Sequence, residues 1–435
     1  MKSELKRYER YKDSRLGDVP EGWEVKRIKD IVKKIGNGVT PLGGSEVYTD
    51  FGIPFLRSQN VYDNGLWLDK VSFITEEIHN SMKNSQLKVK DILINITGAS
   101  IGRTCIVPPD LGDANINQHI AYLRIKPCYD AFYISRFLTS PFIKNYIQFE
   151  QNGASKEAFN LSQIGNIPLV LPLSNELQGI TAYLDAKTNR IDRKIELLTA
   201  KVDRYRELKQ ALINETVTRG LDPTVPMKDS GVEWIGVVPA HWEVKRLKEL
   251  FVESKGRSLT GEETLLSVSE YTGVTKKTDN IEEGESLSRA ESLEGYKICK
   301  IDDLVINIML AWKRGLGVSV YSGIVSPSYA VYSPLKNTNA KYFHYLLRNN
   351  STIAEFKRNS TGIIESRLRL YTDSFYAMSV AVPSFTEQQA IATYLDTKTT
   401  QIDQIITTIT TQIQTLQELR KTLINDVVTG KIKVV

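Results

Sequence analysis

The sequence predicts a mixed α/β (α+β) chain of two globular domains, each followed by a long helix, with the two helices paired antiparallel about an internal pseudo-twofold axis. Three observations lead there. Blocks of sequence recur once, in the same order, along the chain. Two stretches carry apolar residues at alternating steps of four and three, the seam of helices that wind together. Between them, short β-branched runs alternate with turns and a few helical stretches.

The repeat opens at residues 17–30, GDVPEGWEVKRIKD, which realign with GVVPAHWEVKRLKE at 236–249, identical at nine positions of fourteen. Upstream, Lys12-Asp13-Ser14 matches Lys228-Asp229-Ser230 across a three-residue gap near Arg15. Residues 91–95, DILIN, resemble 303–307, DLVIN. ELQGITAYLDAKTNRID at 176–192 aligns with EQQAIATYLDTKTTQID at 387–403, and Leu212-Ile213-Asn214 keeps that offset to Leu423-Ile424-Asn425. A period of roughly 211 to 219 residues is too long for a solenoid and fits two whole domain-plus-helix units. The expected divisions are 1–173 for the first domain, 174–220 for its helix, 221–384 for the second domain and 385–435 for the last helix.

In the globular parts, strands are expected at 53–56, 92–96, 120–125 and 169–171, and at 265–268, 304–308, 318–321 and 330–332. Helices are expected at 129–148 and 340–357. The long helices should begin near 174–176 and 386–387, after Pro172 and Pro383. The first seam is Ile191, Ile195, Leu198, Val202, Tyr205 and Leu212; the second is Ile402, Ile406, Ile409, Ile413, Leu416 and Leu423. Lys209 and Arg420 interrupt the two seams at the same register, with Leu208 and Leu419 beside them. An apolar stripe needs a cover, and the other copy's helix supplies one; a helix of another chain is the alternative. The first helix carries nine basic and six acidic residues over 185–219, the second three and four over 396–430, so both read as scaffold.

Composition sets the outer limits. The chain has 435 residues, 41% hydrophobic and 25% charged, enough for two to four ordinary domains. No apolar run approaches a membrane span, and the charged N-terminal stretch lacks the apolar core of a secretory signal. Cys105, Cys128 and Cys299 make no disulfide or metal pattern, so a reducing cytoplasm is expected. A net charge of +5 permits a local basic surface without demanding one.

These residues resemble the specificity subunit of type I restriction–modification systems over essentially the full length. The carrying features are VPEGWEVKRI and VPAHWEVKRL, GIPFLRSQNV, DILINITGASIGRTCIV with NINQHIAYLRI, LVINIMLAWKRGLGVSVYSGIVSPSYAVY, and the helix leaders ELQGITAYLD and EQQAIATYLD. The resemblance implies two target recognition domains, each reading one half of an interrupted, asymmetric site in double-stranded DNA. It implies assembly with two modification (methyltransferase) subunits and with restriction (ATP-dependent translocase/nuclease) subunits. S-adenosylmethionine, ATP and magnesium would then be bound by those partners, and none by this chain.

No phosphate loop, dinucleotide turn or adenine-methyltransferase motif is present; Gly98 to Arg103 lacks the lysine, and Val107-Pro108-Pro109-Asp110 reads as a proline turn. The four histidines stand far apart, so no catalytic or metal residue is assigned. The rival readings are a stand-alone nuclease or methyltransferase, and a coiled-coil assembly protein without a DNA role. Base edges are read by Arg, Lys, Asn, Gln, Ser and Thr on loops. The candidates in the first domain are Arg57, Ser58, Gln59, Asn60, Thr97, Ser100, Arg103, Asn117, Gln118, His119 and Lys156. Those in the second are Lys255, Arg257, Ser267, Ser269, Lys313, Arg314, Ser326, Ser328, Arg367 and Arg369. For each, the competing reading is a solvated residue or loop cap. Asn95 and Asn307 read equally as turn residues, Trp23 and Trp242 as core or docking anchors, and Trp67 and Trp312 are left open.

Overall fold

Seam spacing over stretches free of proline yields two uninterrupted helices, Ser174–Arg219 with 46 residues and Phe385–Val428 with 44. Each starts two residues past a proline that closes the preceding strand. The second helix is rich in threonine, a poor helix former. Hydroxyls such as those of Thr393, Thr397, Thr407 and Thr415 donate to the carbonyl four residues back, which occupies them without opening the backbone ladder.

The computed structural model describes residues 8–10, 18–151, 158–280 and 292–434. Two units emerge, residues 1–199 with 411–435, and residues 200–410. The four consecutive segments drawn from the sequence are therefore regrouped, because each globular domain holds the start of its own following helix and the end of the other one.

In the first unit, an antiparallel sheet of four strands has the order Thr104–Ile106, Ile92–Asn95, Ile120–Ile125, Val32–Asn37. Its central strand is buried at every position, the pattern of a strand covered on both faces. One face packs with the helices Ala131–Leu138 and Pro141–Gln151. The other faces a second core, which includes Leu56 and Ile116 of the three-stranded sheet Asn115–Ile116, Ile53–Leu56, Ser72–Ile74. An antiparallel pair, Glu24–Arg27 with Pro168–Leu171, joins a strand near the start of the domain to its last strand. Ile180 and Leu184 of the first long helix and Ile424, Val427 and Val428 of the second complete the main core.

The second unit repeats the plan. Its four-stranded sheet has the order Phe251–Glu253, Tyr329–Pro334, Leu304–Asn307, Leu316–Val318, and Glu243–Arg246 pairs with Ser379–Val382. Val217 of the first long helix and Ile391, Ala392 and Leu395 of the second join its core. The strand expected at 318–321 lies instead at Leu316–Val318. Gly317 hid it: a Cβ there would stand 2.8 Å from the Cα of Gly273, so glycine permits the close approach of a neighbouring hairpin. The helices expected at 129–148 and 340–357 are each broken in two. Pro141 starts a new helix after Leu138, and Asn349 caps another by accepting from Thr352 N.

Within each unit the two helix segments run antiparallel. In the first, Asp192 faces Arg420 at 2.8 Å, while Ile180 and Leu184, earlier on one helix, share a core with Val427 and Val428, later on the other. In the second, Lys209 faces Asp403 at 2.6 Å, while Val217 lies with Ile391 and Leu395. Ile191, Ile195, Leu198, Ile413, Leu416 and Leu423 are half-buried in the first unit. In the second, Val202, Ile402 and Ile409 are buried and Tyr205, Leu212 and Ile406 half-buried. The two basic residues that interrupt the seams are the cationic halves of two equivalent cross-helix ion pairs.

Arg420 is the more enclosed cation, so removing its carboxylate leaves a charge with less water to turn to. Asp192→Ala should destabilise the chain by about 1–3 kcal/mol and Asp403→Ala by less than about 1 kcal/mol. Urea midpoints of the two variants test this order. Gly430, at φ 74°, lies where a Cβ would collide with the Pro20 ring. Gly430→Ala should therefore cost more than about 2 kcal/mol, against about 1 kcal/mol for Gly231→Ala, which has similar φ and open space. Equal losses in the two variants would contradict the packing argument.

Candidate nucleic-acid interface

The sheet of the first unit brings four loops to one end. Strands Val32–Asn37 and Ile92–Asn95 end there, and Ile120–Ile125 begins there. Backbone bonds tie the loops together: Gly38 N donates to Ile120 O, Val39 N to Ile116 O, Asn117 N to Leu56 O and Ile96 N to His119 O. The candidate stretches 57–60, 97–103 and 117–119 therefore form one surface, although sixty residues of sequence separate their ends.

A row of polar side chains crosses this surface. Thr97 Oγ1 lies 2.7 Å from His119 Nδ1, Gln118 Nε2 is 3.2 Å from His119 Nε2, and Thr40 Oγ1 bonds Gln118 Oε1. Such a row is preorganised, offering donors and acceptors whose rotamers are already fixed. Arg57 is held over the ring of Tyr48 at 5.7 Å and forms no ion pair among the described residues. Arg103 lies 4.6 Å over Tyr62, which in turn stacks on the half-exposed Trp67. Both guanidinium groups are thus positioned by aromatic faces, with their charge left for an anion. Gln59 is exposed beside them, and Ser58 and Ser100 are half-buried.

The geometry withdraws two candidates. Asn60 is 1% exposed, accepts from Arg57 N and donates to Trp67 O, so it builds the turn that presents Trp67. Asn117 is 7% exposed and accepts from His119 N. Ser58 O and Ser100 Oγ both accept from Asn95 Nδ2, which makes Asn95 the brace between the first two loops. Lys156 lies outside the described residues.

In the second unit, loops after Leu304–Asn307 and before Tyr329–Pro334 meet at the equivalent end, and Leu370 N donates to Ile308 O to bring in the loop of Arg367 and Arg369. Lys255, Arg257, Lys313, Ser328 and Arg367 are exposed. Lys313 and Lys357 both lie over the Trp312 ring, at 4.8 and 5.4 Å. Arg257 donates to Gly295 O and Arg369 to Leu368 O. Arg314 is withdrawn: it takes a left-handed conformation, and its guanidinium is tied to Arg348 O and Asn350. Ser269 is withdrawn as a turn cap that accepts from Tyr271 N, and Ser267 pairs with Thr275 across a hairpin. Ser326 accepts from Ser328 N and closes its own turn.

Sequence reasoning missed Thr40, Tyr48 and Tyr62, because their roles come from contacts across the fold. Other polar groups are structural. His344 accepts from Val318 N, and burial pushes its imidazole down to about 4. Trp23 Nε1 donates to Glu176 at 2.8 Å and Trp242 Nε1 to Glu387 at 3.1 Å, so both tryptophans anchor the start of a long helix. Among the described residues no cluster of His, Cys, Asp and Glu could hold a metal, and no helix is long and apolar enough to cross a membrane.

Comparison with known proteins identifies the family to which this duplicated framework belongs. A model of the type I restriction modification DNA specificity domain matches residues 20–200 and again 239–415. The MjaVIII type I restriction enzyme specificity subunit of Methanocaldococcus jannaschii is 23% identical over 445 residues, covering 98% of this chain and 96% of that one. The putative MjaX specificity subunit of the same organism is 24% identical over 246 residues, 55% of each chain, so this match spans about half that relative's length. The fold is shared with a solved structure described as the structural basis of complex assembly and conformational transition of the type I R-M system, with TM-score 0.67, 15% identity and coverage of 95% of this chain and 99% of that one. The crystal structure of the HsdS subunit from Thermoanaerobacter tengcongensis gives TM-score 0.51 at 16% identity, covering 95% and 98%. With both halves matched by the same model, each over a domain and the start of its helix, the chain belongs to the type I restriction–modification DNA specificity family.

Proposed function

We propose that this specificity subunit reads a bipartite, asymmetric site in double-stranded DNA, one half with each globular domain, and carries no catalysis of its own. The observation that carries the reading is the duplicated plan: one framework, repeated, with different residues on the two loop surfaces. The first offers a Thr–Gln–His row with Arg57 and Arg103; the second offers Lys313 over Trp312, beside a Lys357 that Glu365 holds, and an exposed Arg367 on a separate loop. Phosphate contacts from the cations would position each domain, and base-edge contacts would specify the sequence.

The long helices serve as the spacer between half-sites, and two modification subunits, with restriction subunits, attach to the repeated framework. S-adenosylmethionine, ATP and magnesium belong to those partners. Support for this placement comes from the loop at Gly98–Gly102, the nearest approach to a phosphate cradle: it has no lysine of its own, and Lys144 beside it is engaged by Asp63 and Gly102 O. A cytoplasmic setting agrees with three free cysteines, of which Cys105 and Cys299 are buried with thiols pushed up to about 12 and about 11.

Two experiments test the proposal. Exchanging residues 31–160 for those of a related specificity subunit should alter one half of the methylated target and leave the other; alteration of both would contradict modular reading. Inserting one heptad after Val202 and one after Ile409, both between the two cross-helix ion pairs, keeps each seam in phase and adds about 10 Å. The spacer between half-sites should lengthen by about three base pairs. An unchanged spacer, mapped by adenine methylation in cells carrying the variant, would remove the helices from that role.

A further inference from the structure

Two loops, of which only Arg257 belongs to the candidate set, share an unexpected property. Past the first strand of its four-stranded sheet, the first unit runs through Gly38-Val39-Thr40-Pro41-Leu42-Gly43 and the second through Gly256-Arg257-Ser258-Leu259-Thr260-Gly261. Both loops start on glycine, place a hydroxyl third and end on a glycine in the left-handed region, Gly43 at φ 96° and Gly261 at φ 72°. Both also hold one leucine in solvent: Leu42 is 98% exposed and Leu259 90%.

A single exposed leucine means nothing by itself. These two recur in the equivalent loop of a duplicated framework, one residue apart in register, and their backbones are held rather than free. Val39 N donates to Ile116 O and Thr40 bonds Gln118, which sets Leu42 two residues from the polar row. Ser258 Oγ accepts from Gly261 N and donates to Glu263, while Ser258 N donates to Tyr296 O. The first loop therefore presents its leucine beside the polar row, and the second, fixed through Ser258, leaves Phe251–Glu253 toward the end of its sheet where Asn307 pairs with Tyr329.

An apolar side chain beside groove-edge hydrogen-bonding groups has one natural counterpart on duplex DNA, the 5-methyl group of thymine in the major groove. We infer that Leu42 and Leu259 are specificity-determining contacts, each packing on a thymine methyl in the half-site read by its own domain. The inference rests on the bipartite reading above and adds the chemistry of one base pair in each half. Thr40 and Ser258 act as positioning residues, since each fixes the loop that carries the leucine.

The test uses the purified full chain. Its preferred duplex is selected from a random library, and each thymine of that duplex is replaced in turn by deoxyuridine, which deletes only the methyl group. Wild-type protein should lose about four-fold in affinity at one thymine of each half, the worth of one buried methyl group. Leu42→Ala should abolish the uracil effect in one half and leave the other, and Leu259→Ala should do the reverse. Both leucines are exposed, so folding is expected to survive, and retention of the uracil effect in the untouched half serves as the internal control. The inference is overturned if each uracil effect persists in both variants, if no thymine is sensitive, or if the variants weaken binding equally on thymine and uracil duplexes, as a wedge between base pairs would. Absence of any selected duplex would overturn the bipartite reading along with it, whereas selection of two half-sites without methyl coupling would overturn this inference alone.

Discussion

The indole–carboxylate bond at the start of each long helix is the constraint on which the rest of each unit depends. Trp23 and Trp242 are buried in the domain, and each donates its only polar hydrogen to a glutamate in the first turn of the helix that follows. A carboxylate at that position also meets the unsatisfied N–H groups and positive end of the helix, so one side chain answers two needs. The same indole packs near the glycine that ends the other long helix, Gly430 beside Trp23 and Gly220 beside Trp242. A buried tyrosine completes the hold: the Tyr133 hydroxyl lies between Val170 O and Val428 O, at 2.8 and 3.1 Å, and Tyr342 donates to Val217 O, Val428 and Val217 being among the free carbonyls at a helix C-terminus. Each domain thus grips the beginning of one helix and the end of the other, which makes the antiparallel course of the segments in that unit a consequence of the clamp.

Ion pairs then set the register that hydrophobic packing alone leaves loose. Isoleucine and leucine at heptad positions tolerate a slip by one heptad, since the same side chains meet after the shift. Lys209 opposite Asp403 and Arg420 opposite Asp192 do not, because a slip would strand a half-covered cation in the seam. The stabilisation from such partly exposed pairs is small. Their contribution is to make alternative alignments worse, the usual role of a charged residue placed in an apolar seam.

The scaffold was legible in the sequence because it follows from local rules and from the duplication: seam spacing, proline stops and matched blocks each act within a few turns of chain. The reading surface was legible only in part. Loops at 57–60, 97–103 and 117–119 could be named from composition, but whether a polar side chain faces solvent or closes a turn is decided by residues far away. Asn60 is consumed by Arg57 and Trp67, and Arg314 by the start of the helix Asn350–Arg358. Thr40 carried no signal until the fold placed Gln118 against it. The basic residues in the seams were visible as interruptions, while their meaning required the opposite helix.

The same separation of scales explains how one framework can serve two specificities. Asn95 and Asn307 close equivalent strands, yet Asn95 reaches across to Ser58 O and Ser100, whereas Asn307 turns back to cap Met309 N. The loops beyond them, GASIGRTCIV and MLAWKRGLGV, then hold different groups, an arginine stacked on Tyr62 in one and a tryptophan between two lysines in the other. None of these loop contacts touches the clamp, which sits at the strands Glu24–Arg27 and Glu243–Arg246 and their helices. Substitutions at the loop end can therefore change what is read without weakening what holds the domain, since sites that share no partner act nearly independently. Sequence diversity is tolerated where the energy of the fold is not stored: GASIGRTCIV and MLAWKRGLGV differ, while the tryptophan and glutamate of the clamp recur in both domains.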